Sequence, residues 1–451
     1  MKNLLTLLIA VTGLLSVATV SAQAPWDLQK CFDYAIENNL QIKRQVLNTE
    51  YYQNQVNQAK SDKLPNLNAQ VGNDFSFGRS LTYNNTYDNI NSAGVSGGVS
   101  ANLPIFNGMR LNNTVKQREL DLQATVQDLQ KTKDDIMLLI AAEYLQILFA
   151  EEVLLVDSAN LEVTKQQLER SRQLVNAGSL ARGAMLEIEA QLAREELQLV
   201  NDQNSLQLAY LNLYQFLDLP MAESFKIEKP SLPEIRANLT MINAFDVFNN
   251  AINIRPEIKA AQLRVESAMK QLEIAKGAHY PSLSFGANYY NNYNNQYRYA
   301  PTEENPSPSR IPFGEQLKNN NRSSLGFTLS IPIFNRFQVK NSISNSQIQI
   351  SDYEYQLQIA RNVLRKDIEL VYTNALAALN RYLSTQKAVT SMKEAFRYTE
   401  EKFNVGMINS VEYNQSKNNL ATAQSDLIQA KYEYIFRTKI LDFYNGVPIT
   451  L

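Results

Sequence analysis

Along most of this chain the apolar residues recur with one of two periods. From Leu67 they alternate with polar ones: Leu67, Ala69, Val71, Phe75 and Phe77 share one side, and Asn68, Gln70, Asp74 and Ser76 the other. Val95, Val99, Ala101 and Leu103 oppose Ser96, Ser100 and Asn102 in the same way. Two further runs follow suit: Leu283, Phe285, Ala287 and Tyr289, then Leu325, Phe327, Leu329 and Ile331 against Gly326, Thr328 and Ser330. This is the period of a strand with one apolar side. About nine residues suits either a membrane-barrel strand, apolar toward lipid and wet within, or a soluble hairpin with one buried face.

The second period is helical and much longer. Val115, Leu122, Leu129 and Ile136 recur every seven residues; the series steps by four to Ile140 and continues through Ile147, Leu154, Leu161, Leu168 and Val175. Ile343, Ile350, Leu357 and Leu364 do the same, step by four to Ile368, and continue through Ala375, Tyr382, Val389, Phe396 and Phe403. A heptad seam with a four-residue stutter predicts coiled-coil packing locally unwound toward a straight helix. No proline interrupts Asn107 to Val175, and a helix of that length spans roughly 100 Å. Shorter helices are predicted over Trp26 to Lys60, Leu180 to Tyr214, Ala244 to Lys276 and Ile408 to Leu441. Gly178 and Gly406 fall where each long helix meets its shorter return, as a C-terminal glycine should. Leu217 to Asn243, with Pro220, Pro230 and Pro233, reads as irregular and packed on the waist of the helical part.

The two sets of elements match in order. "AIENNLQI" at Ala35 matches "AINIRPEI" at Ala251, and "LPNL" at Leu64 matches "YPSL" at Tyr280, each 216 residues on. Beyond the Tyr-, Asn- and Pro-rich stretch from Tyr289 to Asn321 the offset becomes 228. There "ANLPIFNGMRLNN" at Ala101 matches "LSIPIFNRFQVKN" at Leu329, and "LVNAGSL" at Leu174 matches "KFNVGMI" at Lys402. The reading is an internal duplication: 23–230 as one structural repeat, 231–451 as the second, the two forming one intertwined domain. Pro65, Pro104, Pro281 and Pro332 are the predicted corners between strand and helix.

Composition narrows the setting. Lys2, the apolar run Leu4 to Val20, and Val20-Ser21-Ala22 read as a secretory signal peptide over 1–22. The single cysteine, Cys31, excludes an intrachain disulfide. Net charge is −2, which gives no electrostatic case for nucleic acid. One histidine, His279, and one cysteine leave little for metal sets or cysteine–histidine dyads, so catalysis and cofactors are not expected. Beyond the signal, nothing approaches the ~20 consecutive apolar residues of a membrane helix. A membrane contact must therefore be made by strands. Four strands cannot close a membrane barrel, since the smallest have eight, and open edges in lipid leave unpaired backbone groups. Two chains would supply eight strands and three would supply twelve.

The signal peptide, the repeated helix–hairpin–helix plan, both "PIFN" corners and the "NAGSL" and "NVGMI" turns resemble the TolC family of outer-membrane efflux proteins, from Trp26 to the C-terminus. The resemblance implies a mainly α fold: a homotrimer with one shared twelve-stranded β-barrel over a long antiparallel α-helical barrel. It implies an exit duct for small molecules or exported proteins in a tripartite efflux or type I secretion system. The duct would stand in the outer membrane lipid of a Gram-negative bacterium with its helices in the periplasm. The implied partners are a periplasmic adaptor (membrane fusion protein) and an inner-membrane transporter.

By the same resemblance, Asn176, Gly178, Leu180, Asn404, Gly406 and Ile408 form the periplasmic entrance and meet the adaptor. Family members often carry an acidic residue six positions after the turn glycine. Glu412 matches in the second repeat, whereas the first has Ala184 there, with Glu187 and Glu189 a turn later. Glu187 and Glu412 are thus candidate entrance carboxylates favouring cations. Where some members place a tyrosine and an arginine that lock the entrance, this chain has Phe403 and Ile408, so a polar latch of that type is not expected. The competing reading is a secreted coiled-coil rod, structural or adhesive, whose hairpins are soluble and whose Tyr-rich loop binds a partner.

Overall fold

The computed structural model describes residues 25–82, 85–219, 225–231, 235, 242–305 and 309–450. The signal-peptide reading of 1–22 and the assignments of Pro220 and Pro233 fall outside them. Two compact units are present, Met1–Arg44, Lys131–Ile254 and Val363–Leu451 in one, Gln45–Gln130 and Arg255–Asn362 in the other. Both take segments from either side of residue 230.

The described elements run α1 (Leu28–Asn38), α2 (Leu40–Ser61), β1 (Asn66–Ser76), β2 (Arg79–Leu81), β3 (Tyr87–Asn89), β4 (Ser92–Asn107), α3 (Arg110–Asn176) and α4 (Arg182–Leu217). There follow α5 (Ala244–Ile254), α6 (Pro256–Gly277), β5 (Ser282–Asn294), α7 (Phe313–Asn319), β6 (Arg322–Ser330), α8 (Gln338–Asn404) and α9 (Ser410–Tyr444). The long helices α3 and α8 each have 67 residues, and their starts and ends are 228 apart. Burial follows the heptad seam. Val115, Ile136, Ile140, Ile147, Leu161 and Leu168 are buried in α3, as are Leu364, Ile368 and Ala375 in α8. The remaining seam positions are half-buried.

Two predicted helices are each broken in two. Trp26 to Lys60 divides at Asn39, whose backbone is extended and whose buried side chain replaces the missing helical bonds. Its Oδ1 accepts from the amides of Gln41 and Ile42 at 2.9 and 3.2 Å, and its Nδ2 donates to the Phe216 carbonyl at 2.9 Å. Ala244 to Lys276 divides at Arg255, because Pro256 pushes the residue before it out of the α region. The breaks, at Asn39 and Arg255, are 216 residues apart.

The main sheet has the order β1-β4-β5-β6, antiparallel throughout, while β2 and β3 form a separate small hairpin. No described residue covers β1 or β6: every residue of both is exposed, on both faces. Leu67 is 73% exposed, Val71 83% and Leu325 75%. A soluble hairpin would bury this apolar side; here it is bare.

The corners need correction. Pro65 and Pro281 do lie between helix and strand, one residue before β1 and β5. Pro104 lies inside β4, where the pairing with β5 shifts register between Pro104 and Phe106. It stands beyond the last β1 rung, Asn66 to Asn102, so its missing amide leaves no bond to β1 unmade. The chain turns into α3 at Gly108 and Met109, with φ of 68° and 64°. Likewise Pro332 follows β6, and the turn into α8 is made by Arg336 and Phe337, at φ 52° and 61°. Each corner is a consecutive left-handed pair, four residues past the proline.

The stretch read as a loop between β5 and β6 contains α7. Gln316, almost fully buried, holds it: its Oε1 accepts from the Asn294 amide at 2.9 Å and its Nε2 donates to the carbonyls of Asn294 and Ile311. In the segment read as packed on the waist, Phe225 and Ile227 are buried. Phe225 stacks on Trp26 at 4.7 Å between ring centres, and the Tyr144 hydroxyl donates to the carbonyls of Trp26 and Glu228.

Candidate functional site

At both long-helix ends the chain reverses through the same motif. The Ser179 amide donates to the Leu174 carbonyl at 2.9 Å and the Gly178 amide to Val175 at 3.0 Å. The Met407 amide donates to Lys402 at 2.9 Å and the Gly406 amide to Phe403 at 3.0 Å. These paired bonds satisfy the last helical carbonyls and require a left-handed residue, which Gly178 and Gly406 supply at φ of 72° and 79°. Asn176 and Asn404 are the final residues of α3 and α8, and Leu180 and Ile408 are half-buried just past the glycines.

The ends are tied together by Arg170, Ser410 and Tyr413, which the sequence did not single out, each meeting a residue that it did. Arg170 Nη1 donates to Asn404 Oδ1 at 2.8 Å, joining α3 to the end of α8. Ser410 Oγ donates to Glu187, joining α9 to α4. Phe403 stacks on Tyr413 at 4.7 Å and Phe396 lies 5.4 Å from the same ring. Burial first, then Glu400 and Glu195, pushes the Tyr413 hydroxyl up to about 12, so it stays neutral. The link between α8 and α9 is therefore aromatic. The two candidate carboxylates differ in setting. Both are exposed, but Glu187 accepts the Ser410 bond, while Glu412 lies in the first turn of α9. Asn409 caps that helix by accepting from the Glu412 amide at 2.9 Å.

Farther along the helices lies a buried polar layer. Lys417 Nζ donates to Glu195 Oε1 at 2.9 Å, to the Asn160 carbonyl at 2.8 Å and to Thr164 Oγ1. It thereby bridges α9, α4 and α3. Gln191 extends the layer to Asn418 at 2.8 Å. Asp157 faces Asp202 across α3 and α4; burial and then the Asp202 carboxylate raise the Asp157 carboxyl to about 6. The available signal was a polar stripe, Ser410, Tyr413, Asn414 and Lys417, at helical spacing on the buried side of α9.

The family model for outer membrane efflux proteins matches residues 32–218 and 247–442, most of the chain. The chain belongs to the outer membrane efflux protein family. It is 25% identical over 452 residues to Outer membrane protein TolC of Escherichia coli (strain K12), covering 96% of this chain and 84% of that protein. It is 23% identical over 340 residues to Toxin and drug export protein A of Aggregatibacter actinomycetemcomitans, covering 72% and 67%. Among solved structures, the outer membrane protein VceC of Vibrio cholerae superposes with a TM-score of 0.74 at 15% identity, over 94% of this chain and 97% of that one.

As an outer membrane efflux protein, the chain is an outer-membrane exit channel of a Gram-negative cell, with its helical part in the periplasm. No described helix is long and apolar enough to cross a membrane. Among the described residues no group of three or more His, Cys, Asp or Glu could hold a metal ion. Cys31 is fully buried, and burial pushes its thiol up to about 12, which keeps it unreactive. The family assignment leaves the secreted-rod reading without support.

Proposed function

We propose that three copies of this chain close a twelve-stranded barrel, and that the duplicated helices of all three continue it as a helical tube. The duct passes small molecules or exported proteins outward without catalysis, fed by a periplasmic adaptor and an inner-membrane transporter. One observation carries this reading: both outer strands, β1 and β6, have unpaired edges and a bare apolar side. In lipid, each unpaired backbone group costs several kcal/mol, so the edges require strands from other copies. The names of the relatives, which include toxin and drug export, support efflux or secretion as the task.

The turns at Asn176, Gly178, Leu180, Asn404, Gly406 and Ile408 are the entrance and the adaptor contact in this reading, and Glu187 and Glu412 line the mouth. Purified mature protein in a planar bilayer should give discrete, steady conductance steps, and their absence contradicts the reading. Glu412→Gln should lower cation over anion selectivity more than Glu187→Gln, because Glu187 is engaged by Ser410. Unchanged reversal potentials in both variants would remove the carboxylates from the mouth.

A further inference from the structure

The registers of the sheet identify how its open edges are completed. In the first repeat β1 pairs with β4 so that Leu67 faces Ala101 and Gln70 faces Gly98. Moving β1 forward by 216 and β4 by 228 turns these pairs into Leu283 with Leu329 and Gly286 with Gly326, both of which are present between β5 and β6. The repeats therefore obey one rule of strand pairing, residue for residue. The middle junction, β4 with β5, is the only place where the end of one repeat meets the start of the other within a chain. There Ala101 faces Ala287, Gly97 faces Asn291 and Asn102 faces Gly286. Carried forward by 228 and back by 216, these pairs become Leu329 with Val71, Leu325 with Phe75 and Ser330 with Gln70. Those are residues of β6 and β1, the two free edges.

The side chains agree with that register. Leu325 and Leu329 would meet Phe75 and Val71, apolar against apolar, on the bare side of both strands. A slip by one residue would set them against Asp74 and Gln70, because successive residues point to opposite faces. The corners carry the same relation. Gly108 seats so closely on Gly277 that a Cβ there would lie 2.1 Å from the Gly277 carbonyl oxygen and 3.1 Å from Tyr280 Cβ. The matching corner residue of the second repeat is Arg336, and the matching seat is Ser61 to Leu64, which includes Asp62 where the first seat has Ala278. A glycine-on-glycine contact is thus replaced by an arginine facing the C-terminal end of a helix and an acid, two features that attract a cation. That second corner is open: Ile333 is 96% exposed, and a groove of about 390 Å³ lies beside it, lined by Pro332, Ile333, Phe334 and Phe337.

We propose that β6 pairs antiparallel with β1 of a second copy of this chain in the single register that places Leu329 opposite Val71, and that Arg336 seats on Ser61 and Asp62 of that copy. This rests on the reading of the chain as a multi-copy barrel and adds which residues meet. Gln70 and Ser330 lie on the polar side of their strands, and opposed residues of an antiparallel pair stand ~4.5–5.5 Å apart at Cα, within the span of a disulfide.

The test is oxidative crosslinking of the full chain, purified in detergent, with its mass measured before oxidation. Gln70→Cys with Ser330→Cys should give bands of two and three linked chains, and Gln70→Cys with Thr328→Cys, two residues out of register, should not. Asn102→Cys with Gly286→Cys, an adjacent pair within one chain, checks that the sheet folds and that the cysteines react. Arg336→Glu should weaken the assembly, and adding Asp62→Arg should restore it. If the assembly has the mass of several chains but only the off-register pair links, or if the charge exchange restores nothing, the proposed junction is overturned while the barrel survives. If the protein has the mass of one chain, the barrel reading falls and takes the junction with it.

Discussion

At the scale of single residues, the polar layer around Lys417 decides how the helical part is held. Lys417 and Glu195 are both largely buried, and each satisfies the other. Replacing Lys417 by Met leaves a buried carboxylate without its cation, an arrangement that costs about 3–5 kcal/mol. Denaturant unfolding in detergent should show that loss, and the double variant with Glu195→Gln should recover much of it. Asp157 gives a pH signature of definite sign. Its folded pKa, about 6, lies above the ordinary carboxylate value, so its contribution to stability is full below about pH 4 and is lost as pH rises through 6. Asp157→Asn should therefore flatten the pH dependence of the unfolding midpoint across that window, and an unaltered slope would place the titration elsewhere. Beyond the polar stripe of Ser410, Tyr413, Asn414 and Lys417, these roles were not legible beforehand. A lysine at one position of a helix reads as solvated surface until its neighbours on two other helices are known.

At the scale of elements, glycines that look alike in the sequence carry different loads. Gly178 and Gly406 sit in open space, so an alanine there meets only the left-handed backbone penalty, about 1–2 kcal/mol. Gly108 has the same sign of φ and, in addition, the Gly277 carbonyl in its path. Gly108→Ala should accordingly abolish the folded strand-to-helix corner, seen as loss of heat-stable mobility in gels, whereas Gly178→Ala should shift melting by only a few degrees. Equal effects of the two would contradict the close seat. The long helices were legible because α3 and α8 keep an apolar seam that survives averaging over many turns. The corners were not. Arg336 and Phe337 adopt left-handed conformations that side-chain identity does not advertise, and the prolines four residues earlier drew the eye. The break before Pro256 follows from a local steric rule, whereas that at Asn39 depends on the distant Phe216 carbonyl.

At the scale of the whole molecule, the sequence carried the function through a mismatch: strands apolar on one side, too few to close, and beyond residues 1–22 no run approaching the ~20 apolar residues of a membrane helix. The structure sharpened this by leaving both faces of β1 and β6 uncovered, and the family match supplied the setting. What escaped the sequence was how the helical ends are tied. Arg170 bonds Asn404 and Phe403 stacks on Tyr413 at these ends. Arg170→Ala with Phe403→Ala should raise single-channel conductance if these contacts narrow the mouth, and wild-type conductance would assign them to packing alone. The most direct test of the central claim joins mass to conduction. Native mass of the detergent-purified mature protein should correspond to three chains, and those particles should conduct when placed in a planar bilayer. A single chain, soluble without detergent and silent in the bilayer, would contradict the account.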